Sequence, residues 1–75
     1  MTRAEFSIFV QELRADLIEN PQEWENITLD RFLEAMSAYT IDIKSAYKNN
    51  GVNIDVDVPT WETFSKIMRG AAIYE

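Results

Sequence analysis

The longest helical pattern in the chain runs from Thr28 to Lys48, and it constrains the fold more than any other feature. Apolar or weakly polar side chains recur there every three or four residues and form a stripe about 140° wide, enough to contact two neighbouring elements. Thr28 suits the N-cap, and Asn49, Asn50 and Gly51 suit the C-cap. The sequence therefore predicts a central second helix. Its stripe consists of Leu29, Phe32, Leu33, Met36, Tyr39, Thr40, Ile43, Ala46 and Tyr47.

Two further helices are predicted, one on each side of this pattern. Thr2 and Glu5 have the spacing of a capping box, and the first helix must stop near Asn20 because Pro21 follows. Thr60 is the expected N-cap of the last helix, in which Gly70 either loosens the helix or permits a close crossing. Residues 1–75 are therefore predicted to form one all-α domain of three main helices. The apolar stripes of the outer helices are Phe6, Phe9, Val10, Leu13 and Leu17, and Trp61, Phe64, Ile67, Met68, Ala71 and Ala72.

The two connections differ in character. Asn20 followed by Pro21 favours a short helical turn near residues 21–26. From Val52 to Val58 apolar and polar residues alternate, which predicts an extended segment. We expect this segment to bury its apolar side against the helices, and the alternative is that its edge pairs with another chain.

The composition disfavours most catalytic chemistry. There is neither cysteine nor histidine, so the chain has no thiol nucleophile and no imidazole base or ligand. Asn53, Asp55 and Asp57 resemble the start of a calcium loop, but Val58 stands where such a loop needs glycine and Phe64 where it needs glutamate. We therefore expect a protein that is not an enzyme and has neither a cofactor nor a metal site.

The charge balance bears on partners. Thirteen acidic and seven basic residues give a net charge of -6, which repels nucleic acid and anionic lipid surfaces. No apolar run approaches the roughly 20 residues of a membrane span, and no basic region followed by an apolar one opens the chain. A cytoplasmic protein with a basic protein partner is the expectation.

Seven residues are candidates for partner binding, each with a structural alternative. Trp24, between two glutamates, either plugs the end of the core, which is favoured, or anchors a partner. Ile41 points away from the apolar stripe, and Asp42 adjoins small residues where a hydrogen bond to a neighbouring element is the favoured interpretation. Asp55 and Asp57, on the polar side of the extended segment, either bind a partner or form a solvated acidic edge. The seven are Glu23, Trp24, Glu25, Ile41, Asp42, Asp55 and Asp57.

Several short motifs together resemble a family of short bacterial proteins classed as a domain of unknown function. They are Trp-Glu-Asn at 24–26, Phe-Leu-Glu-Ala at 32–35, Pro-Thr-Trp at 59–61 and the C-terminal Tyr-Glu at 74–75. The resemblance covers nearly the whole chain. It implies a bacterial single-domain protein, and it implies no activity, cofactor or catalytic residue.

Three functions remain open at this point. The leading hypothesis is a non-enzymatic protein-binding module with an acidic surface, of which an inhibitor-like or immunity-like protein would be one instance. The alternative is a self-assembling structural protein, with a homodimer formed through Ile8, Ile41 or the Val52–Val58 edge. A carboxylate-based enzyme or metal binder is the least favoured.

Overall fold

The computed structural model describes residues 1–75 and consists of three α-helices joined by short connections. Helix α1 spans Arg3–Glu19, α2 spans Leu29–Asn49, and α3 spans Trp61–Ile73, with a single 3-10 turn at Pro21–Glu23. No strand is present, so the predicted all-α class with three main helices is confirmed. None of the helices combines the length and the hydrophobicity that a membrane crossing requires.

The helices begin where the capping residues predicted. The Thr2 hydroxyl accepts a hydrogen bond from the Glu5 backbone N–H at 3.1 Å, and the Glu5 carboxylate accepts one from the Thr2 N–H at 2.7 Å, which completes the capping box. Thr28 and Thr60 each accept a hydrogen bond from the backbone N–H three residues on, at 3.2 and 3.1 Å. Caps of this kind contribute about 1 kcal/mol each, so local sequence accounts for the helix boundaries.

The helix at the centre is α3, whereas the sequence pattern placed α2 there. Helix α3 packs against both other helices, while α1 and α2 barely contact each other. Helix α3 meets α2 closely because Gly70 leaves room for Tyr39, and it meets α1 through Trp61 and Arg69, which contact Phe6 and Phe9. Leu29 and Leu33, assigned to the buried stripe of α2, are consequently 74% and 52% exposed. Five of the eight buried residues lie on α3, namely Thr63, Ser65, Ile67, Ala71 and Ala72.

The segment from Val52 to Val58 forms no strand and buries little. The Asp55 carboxylate accepts a hydrogen bond from the Asp57 N–H at 3.0 Å, and the Val58 N–H donates to the Asp55 carbonyl at 3.2 Å. This turn interrupts the alternation, so residues before and after it do not share one face. The expected burial of the apolar side is therefore wrong, because only Val56 is half-buried while Val52, Ile54 and Val58 are exposed.

Gly70 allows α2 to approach α3 closely. A Cβ atom at this position would overlap the Tyr39 ring, with the ring Cδ2 and Cζ atoms only 2.6 Å away. The ring has little freedom to move, because it packs against Tyr74 with centroids 5.4 Å apart, and the Tyr74 hydroxyl donates a hydrogen bond to Asp42. Of the two alternatives predicted for Gly70, a loosened helix or a close crossing, the structure therefore has the close crossing.

We expect Gly70→Ala to destabilise the protein by up to about 2 kcal/mol. Alanine favours a helix interior by about 1 kcal/mol over glycine, but overpacking against a confined ring costs about 1–3 kcal/mol. Urea unfolding measures the difference. In a Tyr39→Ala background the same change should instead stabilise by about 1 kcal/mol, and equal effects in the two backgrounds would contradict the close-contact explanation.

Candidate functional site

Residues 24–28, which connect the 3-10 turn to α2, lie across the C-terminal end of α3. The backbone N–H groups of Glu25 and Asn26 donate to the Ala72 carbonyl at 2.9 and 3.1 Å. The Asn26 side-chain amide donates to the carbonyls of Ala71 and Tyr74 at 2.9 and 2.7 Å. The last carbonyls of a helix lack partners within the helix. The connection supplies those partners and is thereby held in one position.

Trp24 is fixed by a hydrogen bond at one edge and by stacking on one face. Its indole N–H donates to an Asp16 carboxylate oxygen at 2.9 Å, and its ring stacks on Phe32 with centroids 6.2 Å apart. The Asn20 side-chain amide donates to the other Asp16 oxygen at 3.0 Å. The Arg69 guanidinium lies 3.8 Å from the oxygen that accepts from Trp24. The hydrogen bond from Trp24, followed by that from Asn20, lowers the pKa of Asp16 below its ordinary value.

A small groove with an almost wholly apolar lining separates α1 from the first turn of α2, and we call it the apolar groove. Its volume is about 260 Å³, below the roughly 300–1,000 Å³ of typical small-molecule sites. Ile27 and Leu29 at its rim are 54% and 74% exposed. The groove therefore fits side chains of a partner better than a free ligand. It is lined by Val10, Leu13, Arg14, Leu17, Trp24, Asn26, Ile27, Thr28, Leu29 and Phe32.

A second, polar groove lies between α2 and the C-terminal residues and also includes Asn26, and we call it the acidic groove. Its volume is about 500 Å³, within the range of small-molecule sites, but such sites are lined mainly by apolar and aromatic groups. Here three carboxylates and one guanidinium dominate the lining. The groove is therefore better suited to bind a positively charged surface than an apolar ligand. It is lined by Glu25, Asn26, Arg31, Glu34, Ala35, Ala38, Tyr74 and Glu75.

The negative charge of the chain is concentrated in one stretch of the sequence. Residues 11–35, from the middle of α1 to the second turn of α2, contain seven carboxylates and two arginines, a net charge of -5 out of -6 for the whole chain. The remaining fifty residues are almost neutral. The acidic character of the protein is therefore a property of this stretch, from which Glu25 and Glu34 line the acidic groove and Asp16 contacts Trp24 of the apolar groove.

The seven residues predicted from the sequence do not form one surface. Glu23, Trp24 and Glu25 lie at the connection, with Trp24 in the apolar groove and Glu25 in the acidic groove. The three acidic candidates on or after α2, Asp42, Asp55 and Asp57, are dispersed. Asp42 accepts a hydrogen bond from the hydroxyl of Tyr74, a residue of the acidic groove, and this bond raises the pKa of the tyrosine.

The remaining candidates are Ile41, Asp55 and Asp57, and they lie near the C-terminal half of α2. The Asp57 carboxylate is 3.8 Å from the Lys44 ammonium, and Lys44 is twelve residues beyond Phe32, or about 18 Å along the helix axis. Asp55 is engaged in the turn before Val58. Ile41 on the same half of α2 is 77% exposed. Their proposed role in partner binding stays a prediction.

Sequence reasoning missed two residues that shape the grooves. Asn26 bonds carbonyls 45 and 48 residues away, and Asp16 joins α1 to Trp24 and to α3. The sequence around neither residue indicates its structural role, because a polar residue in a connection and a carboxylate on a helix are ordinary surface features. Only Asn26 belongs to one of the short motifs, Trp-Glu-Asn at 24–26, and Asp16 belongs to none.

Two observations bear on metal binding and on paired-acid chemistry. No group of three or more lies close enough together to hold a metal ion. Asp16, which shares a face of α1 with Glu12, is occupied by hydrogen bonds that favour its ionised form. A carboxyl group that acts as a proton donor near neutral pH needs the opposite shift.

Asn26→Ala should destabilise the protein by about 2–3 kcal/mol. The change removes two partly buried hydrogen bonds, each contributing about 1 kcal/mol, and leaves carbonyls of α3 without a partner. Chemical unfolding followed by circular dichroism measures the loss. The exposed Asn53 offers a matched control, since Asn53→Ala should change the free energy of unfolding by less than about 0.5 kcal/mol.

The hydrogen bonds at Asp16 predict a pH dependence of stability. Because the pKa of Asp16 is lowered on folding, its contribution is present above the unfolded value of about 4 and is lost as the pH falls through the lower folded value. The stability difference between wild type and Asp16→Asn should therefore be constant from about pH 7 to pH 5 and shrink below about pH 4. Urea midpoints across this range test it, with Glu12→Gln as the control for net charge. A difference that did not depend on pH would contradict the assignment.

Comparison with known proteins identifies the family to which the chain belongs. No curated protein and no solved structure shows significant similarity to it. Residues 2–75 match a family described as a family of unknown function, DUF7660. The match covers the caps, the 24–28 connection and all three helices, and the chain therefore belongs to the DUF7660 family.

Proposed function

We propose that this protein is a non-enzymatic protein-binding module whose partner presents a positively charged surface. The observation that carries the proposal is the net charge of -5 within residues 11–35, the part of the chain that builds most of both grooves. Charge complementarity of this kind accelerates association and selects partners. An inhibitor-like or immunity-like role is one instance, and the cytoplasm, where a chain without cysteines needs no oxidising environment, is its proposed location.

The non-enzymatic part of the proposal rests on the chemistry of the side chains. The sequence supplies no thiol and no imidazole, and the carboxylate with the most hydrogen bonds, Asp16, is shifted toward its ionised form. The acidic groove is open and mainly polar, so it does not offer the water-excluded surroundings in which a carboxyl group becomes a general acid. Recognition of charge is the function that these groups can perform without further chemistry.

Self-association is a second candidate, favoured by exposed apolar residues away from the grooves. Ile41 is 77% exposed and Ile54 is 54% exposed. A symmetric contact between two copies would bury such residues. Light scattering over a wide concentration range distinguishes the candidates, because a mass of 8.7 kDa at every concentration would remove this one.

Binding of the cellular partner should weaken with salt and depend on the acidic groove. Glu25→Gln with Glu34→Gln removes two charges from this groove, and Asp55→Asn with Asp57→Asn removes two from the loop before α3. With about 0.5 kcal/mol for each exposed charge, the first pair should weaken binding about three- to tenfold and the second pair by less than twofold. Pull-down of the tagged chain at low and high salt, followed by titration of the recovered protein, measures both. Retention that did not change with salt concentration would count against the acidic surface as the determinant of binding.

A further inference from the structure

We propose that Asn50, which is followed by Gly51 at the end of α2, is a site of spontaneous deamidation. At this site the chain converts its own asparagine into isoaspartate and aspartate, with water as the only co-reactant. The inference is independent of the proposed function. It follows from three features of the end of α2: the missing side chain of Gly51, the exposure of Asn50, and the few hydrogen bonds that hold the two residues.

The reaction joins the Asn50 side chain to the backbone of Gly51. The Gly51 backbone nitrogen, after losing its proton to solvent base, attacks the side-chain carbonyl carbon of Asn50. The new C–N bond closes a succinimide ring, and the side-chain amide leaves as ammonia. Water then opens the ring at one of its carbonyl groups, which yields either aspartate or isoaspartate. The net change is the consumption of a water molecule and the release of ammonia, without any transfer of electrons to or from the chain.

Gly51 leaves the attacking nitrogen unhindered. Its φ is 72°, in the left-handed region, and beyond the adjacent residues no atom lies within 4 Å of the position that a Cβ atom would occupy. A side chain on the residue after an asparagine crowds the approach of the nitrogen to the carbonyl carbon. Every other asparagine of the chain is followed by a residue with a side chain. These asparagines are Asn20, Asn26, Asn49 and Asn53, which precede Pro21, Ile27, Asn50 and Ile54.

The Asn50 side chain is accessible to water and follows the last residue of α2. By contrast, the amides of Asn20 and Asn26 donate hydrogen bonds to Asp16 and to α3, at 3.0 and 2.9 Å. The ψ angle of Asn50 is 5°, and at this value the Gly51 nitrogen faces away from the side chain. The peptide plane between Asn50 and Gly51 must therefore rotate before the ring can close.

Two hydrogen bonds at the end of α2 oppose this rotation. The Gly51 N–H donates to the Lys48 carbonyl at 3.3 Å, and the Val52 N–H donates to the Tyr47 carbonyl at 2.8 Å. Together they form a Schellman motif, and both must break when the peptide plane rotates. Helix ends open readily, and an exposed hydrogen bond contributes little to stability. We therefore expect the folded protein to react roughly ten- to a hundredfold more slowly than the unfolded chain.

The products should unwind the last turn of α2. Isoaspartate inserts an additional methylene group into the main chain, so the two hydrogen bonds of the Schellman motif are lost. Either product also adds a negative charge at the C-terminal end of a helix, where the helix dipole disfavours it. We expect faster amide hydrogen exchange at Gly51 and Val52 after conversion, and a net charge one unit more negative than the original -6.

The test incubates the purified full chain at mildly alkaline pH and follows each asparagine by peptide mapping with mass spectrometry. We expect Asn50 to be converted at least about tenfold faster than Asn53, an exposed asparagine that precedes isoleucine. Two products of equal mass should form: aspartate, which co-elutes with the same peptide from Asn50→Asp, and isoaspartate, which elutes separately. The rate should rise with pH, because the attacking nitrogen must lose its proton.

Gly51→Ala is the matched variant, because it adds only the side chain that hinders the attack. Alanine at a left-handed φ strains the end of the helix and opens it more often, so slower conversion in this variant can arise only from hindrance at the nitrogen. We expect its rate to be at least about tenfold lower than that of wild type. A wild-type rate in Gly51→Ala, conversion of Asn53 as fast as Asn50, or aspartate without isoaspartate would each overturn the proposal. Equal rates in buffer and in urea would overturn the protection by the Schellman motif.

Discussion

The hydrogen bonds between the 24–28 connection and the end of α3 are the interaction on which the rest of the structure depends. Two backbone N–H groups and the Asn26 side-chain amide donate to the Ala71 and Ala72 carbonyls of α3 and to the Tyr74 carbonyl that follows the helix. They join segments that are more than forty residues apart in the chain. Because the connection is held there, α2 starts at a set position beside α3, and Trp24 is directed toward Asp16 on α1.

The small side chains of α3 explain why grooves exist at all. Gly70 accommodates Tyr39 and the two alanines that follow are completely or almost completely buried, so α2 approaches α3 closely. On its other side, α3 reaches α1 through an aromatic contact between Phe6 and Trp61 and through Arg69, which lies over the Phe9 ring at 5.5 Å. Helices α1 and α2 barely contact each other, and the apolar groove lies between them. A chain of 75 residues has too little apolar volume to fill such a gap.

One stretch of the chain carries most of the negative charge and also contributes apolar residues to a groove. The stretch with most of the negative charge, residues 11–35, also forms nearly all of the apolar groove and part of the acidic groove. Stability alone does not require this arrangement, since crowded carboxylates repel one another and exposed leucine contributes little to folding. Recognition of a basic, partly apolar surface uses both features, which is why binding is the function proposed for this family member.

The sequence by itself determined the local structure, because local structure depends on neighbours in the chain. Thr2, Thr28 and Thr60 set the helix starts through bonds to residues three positions on, and the helical periodicity set the all-α class. Only the tertiary structure decided that α3 is central, that Leu29 is exposed, and that Asn26 and Asp16 fix the grooves. These outcomes depend on which helix faces admit a close neighbour and on hydrogen bonds across up to 48 residues, and neither periodicity nor capping contains that information.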